Sequence, residues 1–243
     1  MAKQSGLGQR LLVGGYDISG DIQTLSSVQG MTALGDVTDI TQSAHSRLGL
    51  LRDGSMAASA FFDAANAHPV LSALPTADVG VSYLLGTTLA APAACIVAKQ
   101  VGYDPNRAAS GELLLKTEFK ANGYGIGWGE QLTAGLRTDT TATAGAFYDD
   151  GAGSAFGGQA WLQVTAFAGT SVTVTIEHCT TSGGTYAGVL AFSAVSAAPA
   201  WQRIAVSNTT AIDRYLMVVT TGTFTNAVFS VVFQRFTVAG VTF

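Results

Sequence analysis

The amino-acid sequence predicts a mainly β protein: a β-sandwich or barrel with one short helix, followed by a second β-sandwich domain. Three observations carry this. Apolar residues recur at every second position in segment after segment, helix signals are confined to one place, and a composition shift divides the chain near residue 150.

The elements are taken in chain order. In LLVGGYDISGDI (11–22), Gly14 and Gly15 stand at a strand end and permit a bend or bulge that a side chain would block. Tyr16 and Ile18 then share one face, while Asp17 and Ser19 can bond backbone groups in the turn. The polar stretch from about 19 to 35 reads as an arm built to leave its own domain, with an ordinary surface loop as the alternative reading. Strands are expected near 10–18, 36–42, 55–62, 79–85, 94–102 and 125–133. NAHPVLSAL (66–74) is the one helix: Asn66 can cap it, Pro69 fits the first turn and Pro75 ends it.

GELLLKTEFKA (111–121) alternates, with Leu113, Leu115, Thr117 and Phe119 on one face and Glu112, Lys116, Glu118 and Lys120 on the other; Leu114 breaks the pattern. Residues 137–158, rich in Thr, Ala and Gly without a sustained period, read as a linker. The chain thus divides into an N-terminal domain at 1–136 and a C-terminal sandwich at 159–243. In the latter, AWLQVTAF (160–167) and TSVTVTIEH (170–178) read as a hairpin turned at Ala168–Gly169. Strands are also expected near 187–194 and 201–207. RYLMVV (214–219) is apolar on both faces like a central strand, and AVFSVVFQRF (227–236) places Phe229, Val231 and Phe233 together.

Hydrophobic residues form 48% of the chain and charged residues 12%, about half the usual share. Such a composition builds a core and excludes wholesale disorder; the surface, short of like-charge repulsion, suits packing against other copies. A net charge of −4 argues against tight nucleic-acid binding, which needs clustered Lys and Arg. The opening MAKQSGLGQRLLV has too short an apolar run for a signal peptide, and LAAPAACIVA (89–98) is half a membrane span broken by Pro92, so a soluble chain made in a reducing cytosol is expected. Cys95 and Cys179 read as buried free thiols rather than a disulfide or metal pair.

No catalytic set emerges. There is no phosphate-cradling G-x-x-x-x-G-K-[ST] and no G-x-S-x-G elbow, and GYGIGWG (123–129) has Trp128 where a dinucleotide fingerprint needs its third glycine. His45, His68 and His178 fall in different elements without metal-ligand spacing. Asp149 and Asp150, in a Gly-rich stretch, read as solvated acids, and a calcium cage needs more oxygens than DDGAGS supplies. No enzyme activity and no cofactor are expected.

LLVGGYDISGDI near the start, GYGIGWGEQLTAG (123–135) and one short helix between them resemble the opening strand, closing strand and element order of tail tube proteins from long, non-contractile-tailed bacteriophages, over roughly residues 1–136. The resemblance implies a structural virion protein made in the host cytoplasm: a major tail tube subunit whose β-sandwiches join into six-membered rings. In the family, rings stack through an N-terminal arm and a long loop, contact other tail proteins, and let DNA pass without specific binding. It makes Tyr16, Asp17, Ile18 and Ser19 candidates for an inter-subunit arm. Glu112, Lys116, Glu118 and Lys120 become candidates for the lumen wall, an ordinary solvated face being the alternative. The C-terminal part resembles the immunoglobulin-like or jelly-roll decorations of phage tail proteins. Trp161, Tyr186 and Trp201 there could stack on a host-surface glycan, or pack in the core as strand aromatics do. A carbohydrate-binding or adhesion module of a tail or baseplate protein is the rival reading.

Overall fold

The structure, a computed structural model, describes residues 6–239; the outermost residues of the two expected domains, 1–5 and 240–243, lie outside the described residues. The chain is mainly β. Its strands are β1 (Arg10–Val13), β2 (Tyr16–Asp17), β3 (Ile22–Asp36), β4 (Arg47–Phe61), β5 (Val79–Leu84), β6 (Pro92–Arg107), β7 (Leu113–Ala121), β8 (Gly127–Gln131), β9 (Arg137–Asp139), β10 (Ala144–Asp149), β11 (Gly158–Cys179), β12 (Ala187–Ala191), β13 (Ala200–Val206) and β14 (Tyr215–Arg235), with one α-helix, α1 (Ala67–Leu71).

Two compact units share the chain. The first comprises Met1–Gly20, Val79–Cys95 and Gly127–Phe243; the second comprises Asp21–Asp78 and Ile96–Ile126. This differs from the division expected at 137–158. The expected linker carries β9 and β10, both paired with β14. Arg137 is the reason it is ordered: its guanidinium donates to both carboxylate oxygens of buried Asp139 (2.8 and 2.7 Å) and to the Val218 carbonyl (2.8 Å). Alternation cannot reveal strands held by such polar clamps.

The centre of the first unit is the pair β11–β14, antiparallel along its whole length. The hairpin expected at Ala168–Gly169 does not form; β11 runs straight through it, and a bulge takes up the irregularity. Register shifts set the side-chain phase. On β11, Ala160, Leu162 and Val164 face the core; shifts near 165 and 170 restore the even phase, so Val172, Val174 and Ile176 face it again. On β14 one shift near 225 changes the phase, from Leu216 and Val218 to Phe229, Val231 and Phe233. The opposite face of β11 carries Trp161, which packs with Leu12, Leu84, Ala93, Cys95 and Val232. Gly80 and Gly127 leave room for the indoles: a Cβ at Gly80 would lie 2.6 Å from Trp201 Cδ2, and one at Gly127 would lie 2.5 Å from Trp161 Cζ2.

The N-terminal motif belongs to this unit. Gly14 and Gly15 (φ 60° and 88°) form the two-residue turn of a β1–β2 hairpin, in which Val13 pairs with Tyr16. The Gly15 N–H donates to Gln163 Oε1 (2.7 Å), while the Gln163 amide donates to the Gly80 carbonyl (3.0 Å). The bend or bulge expected at Gly14 and Gly15 is therefore the turn of a pinned hairpin.

In the second unit β3, β4, β7 and the later part of β6 pair in that order. In β7, Leu115, Thr117 and Phe119 are buried and Lys116 and Lys120 exposed, as the sequence indicates, whereas Leu113 at the start of the strand is exposed. Leu71 of α1 is buried, and its carbonyl accepts from Gln100 Nε2 (2.6 Å). Asn66 does not cap the helix; its amide donates to Asp21 Oδ2 (2.8 Å). The strand expected at 36–42 is instead the tip of a long hairpin whose strands are β3 and β4.

Candidate functional site

The β3–β4 hairpin is the least self-contained part of the second unit. β3 is fifteen residues long, carries no charge from Ile22 to Gly35, and among the described residues pairs with β4 alone, which leaves its outer row of N–H and C=O groups open there. Among the described residues the large exposed apolar side chains concentrate on its distal half: Met31, Leu34, Val37, Ile40 (104% exposed), Leu48, Leu50 and Leu51 (83%). The tip is firmly built. Asp36 Oδ1 accepts from the Thr38 N–H (2.9 Å) and hydroxyl (2.5 Å), Asp36 Oδ2 lies 2.9 Å from His45 Nδ1, and Asp39 Oδ1 accepts from Thr41 in the same way. The Thr38 and Thr41 hydroxyls, with the backbone N–H groups, hold both carboxyls below their usual range.

The expected arm is resolved into two parts. Residues 22–35 are β3. Tyr16 to Ser19 are held within the first unit: Ile18 is fully buried, Asp17 pairs with Arg10 (2.5 Å), and the Ser19 hydroxyl accepts from the Leu11 N–H (2.9 Å) and donates to Asp17. Only Tyr16 is exposed. Burial of one apolar side chain in the turn outweighs the polarity of its neighbours.

Lys116, Glu118 and Lys120 lie together on one face of β7, opposite Ser59, Ala57 and Ser55 of β4 and near Asp104 and Gly102 of β6. Lys116 and Glu118 border a groove of about 530 Å³ floored by small residues. Lys120 pairs with Glu118 (2.7 Å), which raises the Lys120 pKa. Glu112 is exposed just before the strand, where it accepts from the Ser110 hydroxyl (2.7 Å). The face is wet, and its signs alternate.

The three aromatic candidates do not form a stacking platform. Trp161 is 3% exposed and is part of a core, so it has no free face; strand alternation could not tell this second buried face from a solvated one. Trp201 is half-buried over Gly80, and Tyr186, also half-buried, lies in another segment, its hydroxyl 3.5 Å from the Ser182 carbonyl.

The remaining polar groups are tied up structurally. Asp149 makes two hydrogen bonds with Arg214 (2.6 and 2.7 Å), and Asp150 pairs with Arg235, so these acids hold strands rather than stand free. His68 meets Tyr103 (2.5 Å), His178 Nδ1 accepts from the Asp213 N–H (2.9 Å), and His45 sits at the hairpin tip. Among the described residues no three His, Cys, Asp or Glu side chains come together as metal ligands, and no helix is long and apolar enough to cross a membrane. Cys95 and Cys179 are free and buried, and burial pushes the Cys95 thiol up to about 12.

No protein-family model matches the chain, and no curated protein does so significantly. Solved structures similar to it include a chain of the virion of a native gene transfer agent particle, at TM-score 0.41 and 12% identity over 52% of this chain and 98% of that one. Another is the SPP1 Dit (gp 19.1) protein, described as a hub of the adsorption apparatus in Gram-positive infecting phages, at TM-score 0.37 and 10% identity over 93% and 99%. A third is a chain of the phage P2 baseplate in its activated conformation with calcium, at TM-score 0.33 and 9% identity over 95% and 99%. At TM-scores below 0.5, none of these likenesses assigns a function to the chain.

Proposed function

We propose that the chain is a structural virion subunit of the phage tail tube type, polymerising with identical copies as stacked rings into a hollow tube and touching other tail proteins at its ends. The β3–β4 hairpin is the observation that carries this reading. An uncharged open edge with a cluster of exposed leucines is stable in water only when a partner covers it, each fully covered leucine contributing about 1.5–3 kcal/mol. The mixed-charge face with Lys116, Glu118 and Lys120, preceded by Glu112, is the proposed lumen wall, and the net charge of −4 keeps DNA from adhering as it passes.

The test compares wild-type protein with a Leu48→Lys, Leu50→Lys, Leu51→Lys variant by sedimentation velocity and negative-stain microscopy. All three side chains are more than half exposed, so the variant keeps the fold. Rods or rings from wild type and monomers from the variant are expected. A wild-type chain that stays monomeric over its soluble range refutes the proposal.

A further inference from the structure

The first unit has a groove of about 360 Å³ walled by β8, β14 and the segment after β10. Trp128 of β8 is 48% exposed although Gly127 and Gln131 of the same strand are buried, so its indole offers a face that no core occupies. Glu130 stands two residues on, on the same side of the strand, and opposes Pro92 of β6, which also lines the groove.

The polar groups around the indole are held in place. The Arg235 guanidinium pairs with Asp150 and donates to the Ile212 and Asp213 carbonyls (2.7 and 2.8 Å), which fixes the Asp150 carboxylate at the groove wall. Beside one aromatic face the groove thus presents two carboxylates and the Thr237 hydroxyl.

We infer that this groove binds a neutral oligosaccharide, one ring stacked on Trp128 and its hydroxyls hydrogen-bonded to Glu130 and Asp150. The chemistry selects that class. The C–H face of a pyranose packs on an indole, and its hydroxyls donate to planar acceptors at the ring edge. Phosphate, sulfate and carboxylate ligands are disfavoured, because two carboxylates face a single guanidinium that is already committed. A divalent cation is disfavoured because no three ligands of the right type converge among the described residues. The site is distinct from Trp161, Tyr186 and Trp201, and it does not depend on the tube assignment.

The experiment is calorimetric titration of the full chain with neutral hexasaccharides (maltohexaose, cellohexaose and the β-1,4 N-acetylglucosamine hexamer), with a heparin hexasaccharide and hexa-arginine in parallel. At least one neutral sugar is expected to bind. Trp128→Ala and Glu130→Gln should each weaken it about tenfold, while Trp128→Phe keeps most of the affinity and Phe147→Ala, an exposed aromatic outside the groove, leaves it unchanged. Binding of none of the neutral sugars overturns the inference. So does equal binding by Trp128→Ala, or binding of hexa-arginine alone, which would make the groove a seat for a cationic side chain.

Discussion

Gly127→Ala is the sharpest test of the first unit's packing. The added methyl would sit 2.5 Å from Trp161 Cζ2 and 2.8 Å from Gln234 Oε1, against an ordinary carbon–carbon contact of about 3.5–4.0 Å. The indole must therefore shift by about 1 Å, yet it is 3% exposed and enclosed by Leu12, Leu84, Ala93, Cys95 and Val232. Overpacking of this kind costs about 1–3 kcal/mol, and the enclosed site places Gly127→Ala at the upper end. With a urea slope of about 3 kcal/mol/M, the midpoint falls by about 1 M. All three tryptophans lie in the first unit, so intrinsic fluorescence reports its unfolding directly. Gly183→Ala, where nothing lies within 4 Å, is the matched control. In a Trp161→Leu background, which lacks the clashing ring atoms, Gly127→Ala should cost little, and the double-mutant cycle isolates the clash. An unchanged midpoint in the single variant, or an equal loss in both backgrounds, would refute the account.

The polar clamps give two further expected outcomes. Arg137→Ala leaves Asp139, whose side chain is 4% exposed, without its cation and should destabilise the first unit by about 3–5 kcal/mol, whereas replacing both by leucine recovers most of the loss; urea melts of the three variants check it. The Arg214 guanidinium, aided by the Gly151 N–H, holds the Asp149 carboxyl at about 2. Because this folded-state value is depressed, the pair's stabilisation is complete above about pH 4, the unfolded carboxyl range, and fades as pH falls towards about 2. Carboxyl ¹³C NMR should find a midpoint near 2 that rises towards the ordinary value in Arg214→Gln; an unmoved midpoint would discredit the pairing.

The β class and the two faces of β7 were legible in the sequence because each is a local periodicity with one dry side; the helix near 67 was legible from Pro69 and Pro75, although its expected Asn66 cap does not form. Phe229, Val231 and Phe233 likewise share a buried face, as their spacing indicates. The long β3 strand was not legible: it has no dry side within one chain, so IQTLSSVQGMTALG shows no alternation and reads as an arm. Residues 137–158 looked like a linker because β9 and β10 are held by an Arg137–Asp139 clamp and by partners some eighty residues away.

Alternation by itself determined that this chain folds as β structure, and composition that its surface is poor in charge. Only the tertiary structure decided that Gly14–Gly15 closes a hairpin, that β11 continues through Ala168–Gly169, and that Trp161 is core while Trp128 faces solvent. The physical reason is common to all of these. Alternation states that a strand has two faces, but which face is dry depends on what packs against it, and in this protein the covering residues come from segments far away in the chain.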